Sequence, residues 1–235
     1  MRVEAVPTTV SFTTEREKHE SITNARHDRQ PMVRPGQVLN RSGRSCTTPS
    51  GSAPPFLMTT ETHSERLWQF ATGLYAQAGM SDACLALQDI ARADVCVLLY
   101  ALDADVRGYA LNDCQLAQAD QHVQALREIV VLPLRRLRRQ LKSGFERLSP
   151  EATAPVRAQV QLAELAAERL LLNCLQSFDE ALADREPRRV GTDRTVASVL
   201  ALYAPGAMPD ASIQVAVIER ALKKHLVSYT QGDKP

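Results

Sequence analysis

Residues 67–107, LWQFATGLYAQAGMSDACLALQDIARADVCVLLYALDADVR, carry the clearest structural signal in the chain. The apolar residues of this stretch recur every three or four positions, which predicts amphipathic helices. Gly79 and Gly108 stand at predicted helix ends, since glycine favours the left-handed conformation that closes a helix. Asp94 stands at a predicted helix start, because its carboxylate can accept from free backbone N–H groups. The stretch therefore predicts three short helices.

The composition also favours an all-α protein. Of the 235 residues, 44% are hydrophobic but only 5% are aromatic, and strands draw on aromatic and β-branched side chains. The formal net charge of +1 predicts no global attraction to nucleic acid or to an anionic membrane. The longest clean apolar runs, such as residues 95–102, are far shorter than the roughly 20 residues that span a bilayer, so no membrane partner is predicted.

The five cysteines show no paired spacing. They form neither a plausible disulfide framework nor a zinc site, and most fall among apolar residues of predicted helices. This pattern predicts free thiols and a cytoplasmic location.

The chain divides into four parts. Residues 1–57 are rich in Pro, Ser, Thr, Gly and Arg without apolar periodicity, which predicts a disordered polar extension. Its arginines would also suit an organelle-targeting peptide, although its early glutamates argue against that interpretation. A third interpretation is a mis-assigned start, with the true start at Met58. Residues 62–186 are predicted to form the helical core domain and residues 187–229 a helical C-terminal tail, with residues 230–235 disordered.

Two long helices complete the predicted core. The first spans about residues 120–143, and Pro133 should kink it because proline lacks a donor and crowds the preceding turn. The second opens at Ser149 and Pro150, the cap and first-turn residues, and runs to about residue 184. The predicted buried stripes are Val123, Leu126, Val130, Leu134, Leu137 and Leu141 on the first helix, and Val156, Val160, Ala163, Ala167, Leu170, Cys174 and Phe178 on the second.

These elements predict the architecture. The fold class is all-α: a helical bundle of three short helices packed on two long antiparallel helices, plus a helical C-terminal tail. Residues 74–93 also align without gaps to residues 202–221, with nine of twenty positions identical. Alanine richness inflates such a match, so a duplicated helix pair is one interpretation and chance similarity the other.

A family resemblance rests on the first helices. Its residues are Leu67, Trp68, Phe70, Ala71, Leu74, Tyr75, Ala76, Gly79, Ala83, Cys84, Leu85, Leu87, Gln88, Asp94, Val95, Leu98 and Leu99. This pattern resembles a family of small bacterial proteins known as domain of unknown function 2390, over about residues 65–185. The resemblance implies an all-helical cytosolic protein and implies no catalytic residue.

A basic strip is the strongest local charge feature. At 100° per residue, one arc of the first long helix collects four cations, with a fifth near its edge. They are Arg135, Arg138, Arg139 and Lys142, with Arg127 at the edge. The strip could hold phosphates of RNA or another polyanion, or an acidic partner. The simpler interpretation is a solvated helix face near a C-terminus, where cations favour the helix dipole.

Two aromatic residues are candidate contacts for a partner. Trp68 and Tyr75 lie seven residues apart on the first helix, beside its apolar stripe. They could pack in the core or form an exposed anchor for a protein partner or a second copy, since such residues dominate interface hot spots. The leading hypothesis is a cytosolic protein-interaction or adaptor module, and the alternative is RNA or polyanion binding through the basic strip.

The sequence does not favour an enzyme. Cys114 and His122 are eight residues apart and do not share a helix face as metal ligands would. Glu164 and Glu168 have the i, i+4 spacing of metal-binding bundles but lack the accompanying histidine motif, so they are interpreted as solvated carboxylates. We predict no catalytic residue, no metal site and no cofactor.

Overall fold

The computed structural model describes residues 65–145, 147–182 and 186–231, together with the backbone of two short strands, β1 (Val38–Leu39) and β2 (Ser45–Cys46). These strands pair antiparallel, with Val38 opposite Cys46. The remainder of the predicted disordered extension, the alternative start at Met58 and the last four residues lie outside the described residues.

The described chain is helical, as predicted. The helices are α1 (Arg66–Tyr75), α2 (Met80–Ala91), α3 (Val95–Val106), α4 (Asp113–Leu126), α5 (Leu132–Ser143), α6 (Pro150–Ala181), α7 (Thr192–Tyr203) and α8 (Ser212–Gln231). Helix α8 thus includes residues 230 and 231, for which the sequence predicts disorder. The all-α bundle is confirmed.

In the first stretch, α3 begins where predicted, whereas α1 ends at Tyr75, before its predicted end at Gly79. The Asp94 carboxylate accepts from the N–H groups of Cys96 and Val97 at 2.7 and 3.2 Å, which caps α3. Gly79 has a φ of +82° at the junction of α1 and α2, a conformation that costs a side-chain-bearing residue energy. These turns therefore depend on residues that are adjacent in the chain.

Pro133 affects the first long helix in a specific way. A π-helical turn over Arg127–Val131 joins α4 to α5, and the Leu132 N–H donates to the Arg127 carbonyl five residues back. A π turn accommodates one extra residue and rotates the succeeding helix by about 100° relative to a continuous α-helix. The kink predicted at Pro133 stays a prediction, and the structure shows this π turn just before the proline.

The core is centred on α3. Every residue from Val95 to Asp105 is buried. Residues of α7 and α8, including Val199, Leu200 and Ile218, belong to the same hydrophobic cluster as those of α1 to α3. The predicted C-terminal tail therefore helps to close the core.

The two similar segments both form a helix, a turn and a second helix. Tyr75 ends α1 and the aligned Tyr203 ends α7. The aligned alanines Ala83 and Ala211 are both buried, and α2 packs against α8. This agreement supports the duplication, which stays a prediction.

The cysteines differ in state. Cys84 and Cys96 are free thiols in the core, and Cys174 is free and half-buried. Cys114 forms a disulfide bond, so the prediction of free thiols is wrong for this residue.

Candidate functional site

The side of α6 that faces the protein is unexpectedly polar. Glu164 and Glu168 are each only 2% exposed, so the expectation that they are solvated is wrong. Val156 and Leu170, which the sequence places in the core, are 56% and 43% exposed. The helix therefore turns charges inward and part of its apolar surface outward.

Two arginines of α5 neutralise the buried carboxylates. Arg135 donates through Nε to Glu164 Oε1 at 3.0 Å and through a terminal nitrogen to Glu168 Oε1 at 2.6 Å. Arg138 donates through Nε to the second oxygen of Glu164 at 2.6 Å. We call these four residues the charged seam. Breaking such a pair is costly because it leaves a buried charge uncompensated.

The π turn places a further arginine in line with the seam. Counting the extra residue, Arg135 lies about 20° from Arg127 around the helix, whereas a continuous α-helix would separate them by about 80°. Arg127 contacts Asp120 Oδ1 at 2.5 Å and Asp94 Oδ2 at 3.2 Å. The hydroxyl of Tyr203 also donates to Asp120 at 2.5 Å. The arginine thus joins α4, α7 and the N-terminus of α3.

Burial changes the proton affinity of one seam carboxylate. It raises the pKa of Glu168 to about 7, against the opposing effect of Arg135 and with the help of the nearby Glu164 charge. The side chain therefore gains a proton near neutral pH. A titratable group within a buried pair makes the stability of the seam depend on pH.

A second charged cluster holds the C-terminal end of α6. Asp179 contacts an Arg107 terminal nitrogen at 2.8 Å, and Arg107 Nε contacts Asp103 at 2.9 Å. Arg66 of α1 pairs with the same Asp103. Charges therefore fix the middle and the C-terminal end of the inward face of α6.

The five residues of the predicted basic strip have different surroundings. Arg127, Arg135 and Arg138 are engaged by carboxylates. Arg139 is exposed, and Lys142 is half-buried. Three of the five cations are thus neutralised by Asp94, Asp120, Glu164 and Glu168, which leaves little basic surface for a polyanion.

The outward side of α6 carries no charge over about six turns. Nine exposed residues lie within an arc of about 120°. They are Ala152, Pro155, Val156, Gln159, Leu162, Ala163, Ala166, Leu170 and Asn173. We call this set the outer face. A long exposed face without charge is uncommon on a globular protein and marks contact surfaces.

The two candidate aromatic anchors, Trp68 and Tyr75, differ in burial. Tyr75 is 4% exposed, so it is a core residue and the interpretation as an exposed anchor is wrong for it. Trp68 is half-buried, and the Arg169 guanidinium lies 5.4 Å from the centroid of its ring. Arg169, at the edge of the outer face, also pairs with Glu65. Trp68 therefore lies beside the outer face.

The predicted helices also carry His122 and several carboxylates that could in principle act as metal ligands. Across residues 65–231 as far as they are described, no three His, Cys, Asp or Glu side chains come together as a metal site would require. The His122 ring packs against Phe178 at a centroid distance of 5.4 Å. None of the helices in the described part of the chain is long and apolar enough to cross a membrane.

The sequence carries no direct signal for the outer face. The nearest signal is the arc of α6 over residues 152–173 that lacks charge, and periodicity alone would place such an arc in the core. The partners of Glu164 and Glu168 are 26 to 33 residues away in sequence. Only the fold brings them together.

One comparison with known proteins gives a match. The family described as "Protein of unknown function (DUF2390)" matches residues 66–175. The matched segment runs from α1 through most of α6, including the charged seam, and stops before α7 and α8. No curated protein and no solved structure matches the chain.

Proposed function

We propose that this chain, whose residues 66–175 match the DUF2390 family, is a protein-interaction module whose outer face of α6 binds an amphipathic helix of another protein. The observation that carries this proposal is the outward side of α6, where nine exposed residues carry no charge, while Glu164 and Glu168 of the same helix are buried. Exposed apolar surface is costly to keep in water, and a partner would remove it.

The shape of the outer face favours a helix as the partner. Small residues such as Ala163 and Ala166 lie between the larger Leu162 and Leu170. Small side chains let another helix approach closely, while larger ones fill its grooves. A partner helix would present its own apolar positions at i, i+3, i+4 and i+7. The absence of charge on the face selects an uncharged stripe on the partner.

The size of the face argues for a transient heteromeric contact. The 22 residues from Ala152 to Asn173 span about 33 Å, and a helix is about 10 Å wide. A symmetric dimer through these faces alone would bury on the order of 600 Å², below the roughly 1,200–2,000 Å² of stable interfaces. One bound helix of a partner suits this area better than an obligate dimer.

Trp68 supports the proposal by its position. It is partly exposed beside the outer face, and Arg169 covers part of its ring. An aromatic ring at the edge of an apolar groove can anchor a partner side chain. Tyr75 has no part in this role because it is buried.

Site-specific photo-crosslinking in the native cell tests the proposal. A photoreactive phenylalanine analogue at Leu162 of the full chain should capture a protein through a segment that forms an amphipathic helix. The same analogue at Arg220, an exposed residue of α8, is the matched control and should not capture it. The purified partner segment should then bind the wild-type chain in the micromolar range.

An added Ala166→Glu substitution should weaken that binding at least tenfold, because it introduces a charge into an apolar contact. Arg220→Glu should leave the binding unchanged. Capture of only a second copy of the chain would replace the proposed partner with self-association. Equal capture at Leu162 and Arg220, or binding that Ala166→Glu leaves intact, would contradict the proposal.

RNA or polyanion binding stays a prediction that no observation favours. Its remaining exposed candidate is Arg139, since Arg127, Arg135 and Arg138 pair with carboxylates. Salt-sensitive retention of RNA that is lost on Arg139→Gln would support it, and absence of retention at low salt would exclude it. The cytoplasmic location also stays a prediction.

A further inference from the structure

We propose that a cavity between α3, α4 and α7 binds a small organic anion with a carboxylate or phosphate group. The cavity has a volume of about 300 Å³ and is partly open to solvent. None of its lining residues belongs to α6, so it is separate from the outer face. A volume of this size is at the lower end of small-molecule sites.

An unpartnered hydroxyl is the first observation that points to a ligand. Thr195 lines the cavity near the start of α7 and is 6% exposed, and its Oγ1 makes no hydrogen bond with any residue that the structure describes. Leaving a buried hydroxyl unpaired costs on the order of 1–3 kcal/mol. The Oγ1 atom is enclosed by the wall, so a ligand oxygen in the cavity would accept its hydrogen bond after a rotation of the Thr195 side chain.

Two arginines supply the positive charge. Arg188 and Arg194 both line the cavity, and neither forms an ion pair with any residue that the structure describes. The Arg188 backbone is fixed, since its N–H donates to the Gly108 carbonyl at 2.7 Å and its carbonyl accepts from Ala110 at 2.9 Å. Guanidinium groups bind carboxylates and phosphates with two parallel hydrogen bonds.

The opposing charge in the cavity is a single carboxylate. Asp113 lines the wall at the start of α4, next to the capping residue Asn112. Two arginines against one aspartate leave the lining with a net positive charge. The first turns of α4 and α7 both reach the cavity, and their dipoles also favour an anion.

The rest of the lining sets the character of the ligand. Ala101, Leu111 and Leu116 form an apolar portion of the wall. A ligand that fits has an anionic head at the arginines and a short apolar body against these residues. Aryl or short alkyl phosphates and carboxylates have this chemistry.

Titration calorimetry on the purified full-length protein tests the site with phenyl phosphate and benzoate as probes. At least one probe should bind saturably with a dissociation constant of about 1 mM or lower, near the weak end of measurable binding. The probe that binds more tightly shows whether the cavity prefers a phosphate or a carboxylate group. Arg194→Gln and Thr195→Val should each weaken that binding, the arginine change at least tenfold.

Arg220→Gln is the control, because Arg220 does not line the cavity, and it should leave the affinity unchanged. Thr195→Val keeps the volume of the side chain, so its circular dichroism spectrum should match that of the wild type. Absence of saturable binding of both probes up to 10 mM, or equal affinity in the wild type and both cavity variants, would overturn the proposal.

Discussion

Helices α3 and α6 are both central to the bundle, but they differ in what they bury and what they expose. Helix α3 buries every residue from Val95 to Asp105, most of them apolar. Helix α6 buries Glu164 and Glu168 and exposes Leu162 and Leu170. An amphipathic helix is therefore oriented by the neighbour that neutralises its charges as well as by its apolar stripe.

The energetic basis of the two regions also differs. Apart from Asp103 and Asp105, α3 is stabilised by burial of apolar area, which requires no particular partner atom. The charged seam is stabilising only when Arg135, Arg138 and the two glutamates are all in place, because each buried charge needs its counterpart. A single substitution in the seam should therefore lower the free energy of unfolding by more than the loss of its own hydrogen bonds would.

Removal of one seam carboxylate should be the most damaging change. Glu164→Ala leaves Arg138 and part of Arg135 without a partner in a buried position. We expect the free energy of unfolding to fall by about 3–5 kcal/mol, measured by urea denaturation. Glu219→Ala removes an exposed pair with Lys223 and should cost less than about 1 kcal/mol. Similar losses in both variants would mean that solvent screens the ion pairs of the seam as strongly as it screens the exposed pair of Glu219 and Lys223.

The pH dependence of stability should reveal Glu168. Because its pKa is raised to about 7 in the folded state from an ordinary 4.5, the folded protein holds a proton that the unfolded chain has released between these values. This contribution is fully present below pH 4.5 and is lost as the pH rises through 7.

Relative to Glu168→Gln, the wild type should therefore lose up to about 3 kcal/mol of stability between pH 4.5 and pH 7. Urea denaturation of both proteins at several pH values measures this difference. A constant difference across that window would show that Glu168 stays ionised throughout.

The apolar region has its own sensitive point at Gly73. A Cβ atom there would lie 2.5 Å from Cε1 of His225, so α1 and α8 approach closely only because residue 73 lacks a side chain. Alanine usually stabilises a helix relative to glycine, but the clash should reverse the sign here. We expect Gly73→Ala to destabilise the protein by about 1–3 kcal/mol.

Thermal denaturation of Gly73→Ala, His225→Ala and the double variant measures this contact. The double variant should be more stable than the sum of the two single losses predicts, since His225→Ala removes the obstructing ring. Additive losses would show that the contact is not the cause.

Substitutions on the outer face should have the least effect on stability. Leu162→Gln should change the free energy of unfolding by less than about 0.5 kcal/mol, because the side chain is already 53% exposed. Leu171→Gln on the inward side of the same helix is the control and should cost several times more, since Leu171 is 1% exposed. A large loss for Leu162→Gln would mean that the outer face is covered within the folded chain.

The local structure of the first three helices could be predicted from the amino-acid sequence alone. Asp94 caps α3 as predicted, because a cap depends on residues adjacent in the chain. Gly79 has the predicted left-handed conformation, but α1 already ends at Tyr75 and Gly79 precedes the first residue of α2. The family resemblance is also carried by these helices and is confirmed over residues 66–175.

The side of α6 that faces inward, in contrast, depends on the packed protein. The sequence places both apolar and charged residues around that helix, and the predicted stripe puts Val156 and Leu170 in the core, where they are not. The π turn rotates Arg135 and Arg138 toward α6, and a buried carboxylate is stable only opposite such a cation. Because this orientation depends on charges brought together from distant parts of the chain, periodicity within one helix could not predict it.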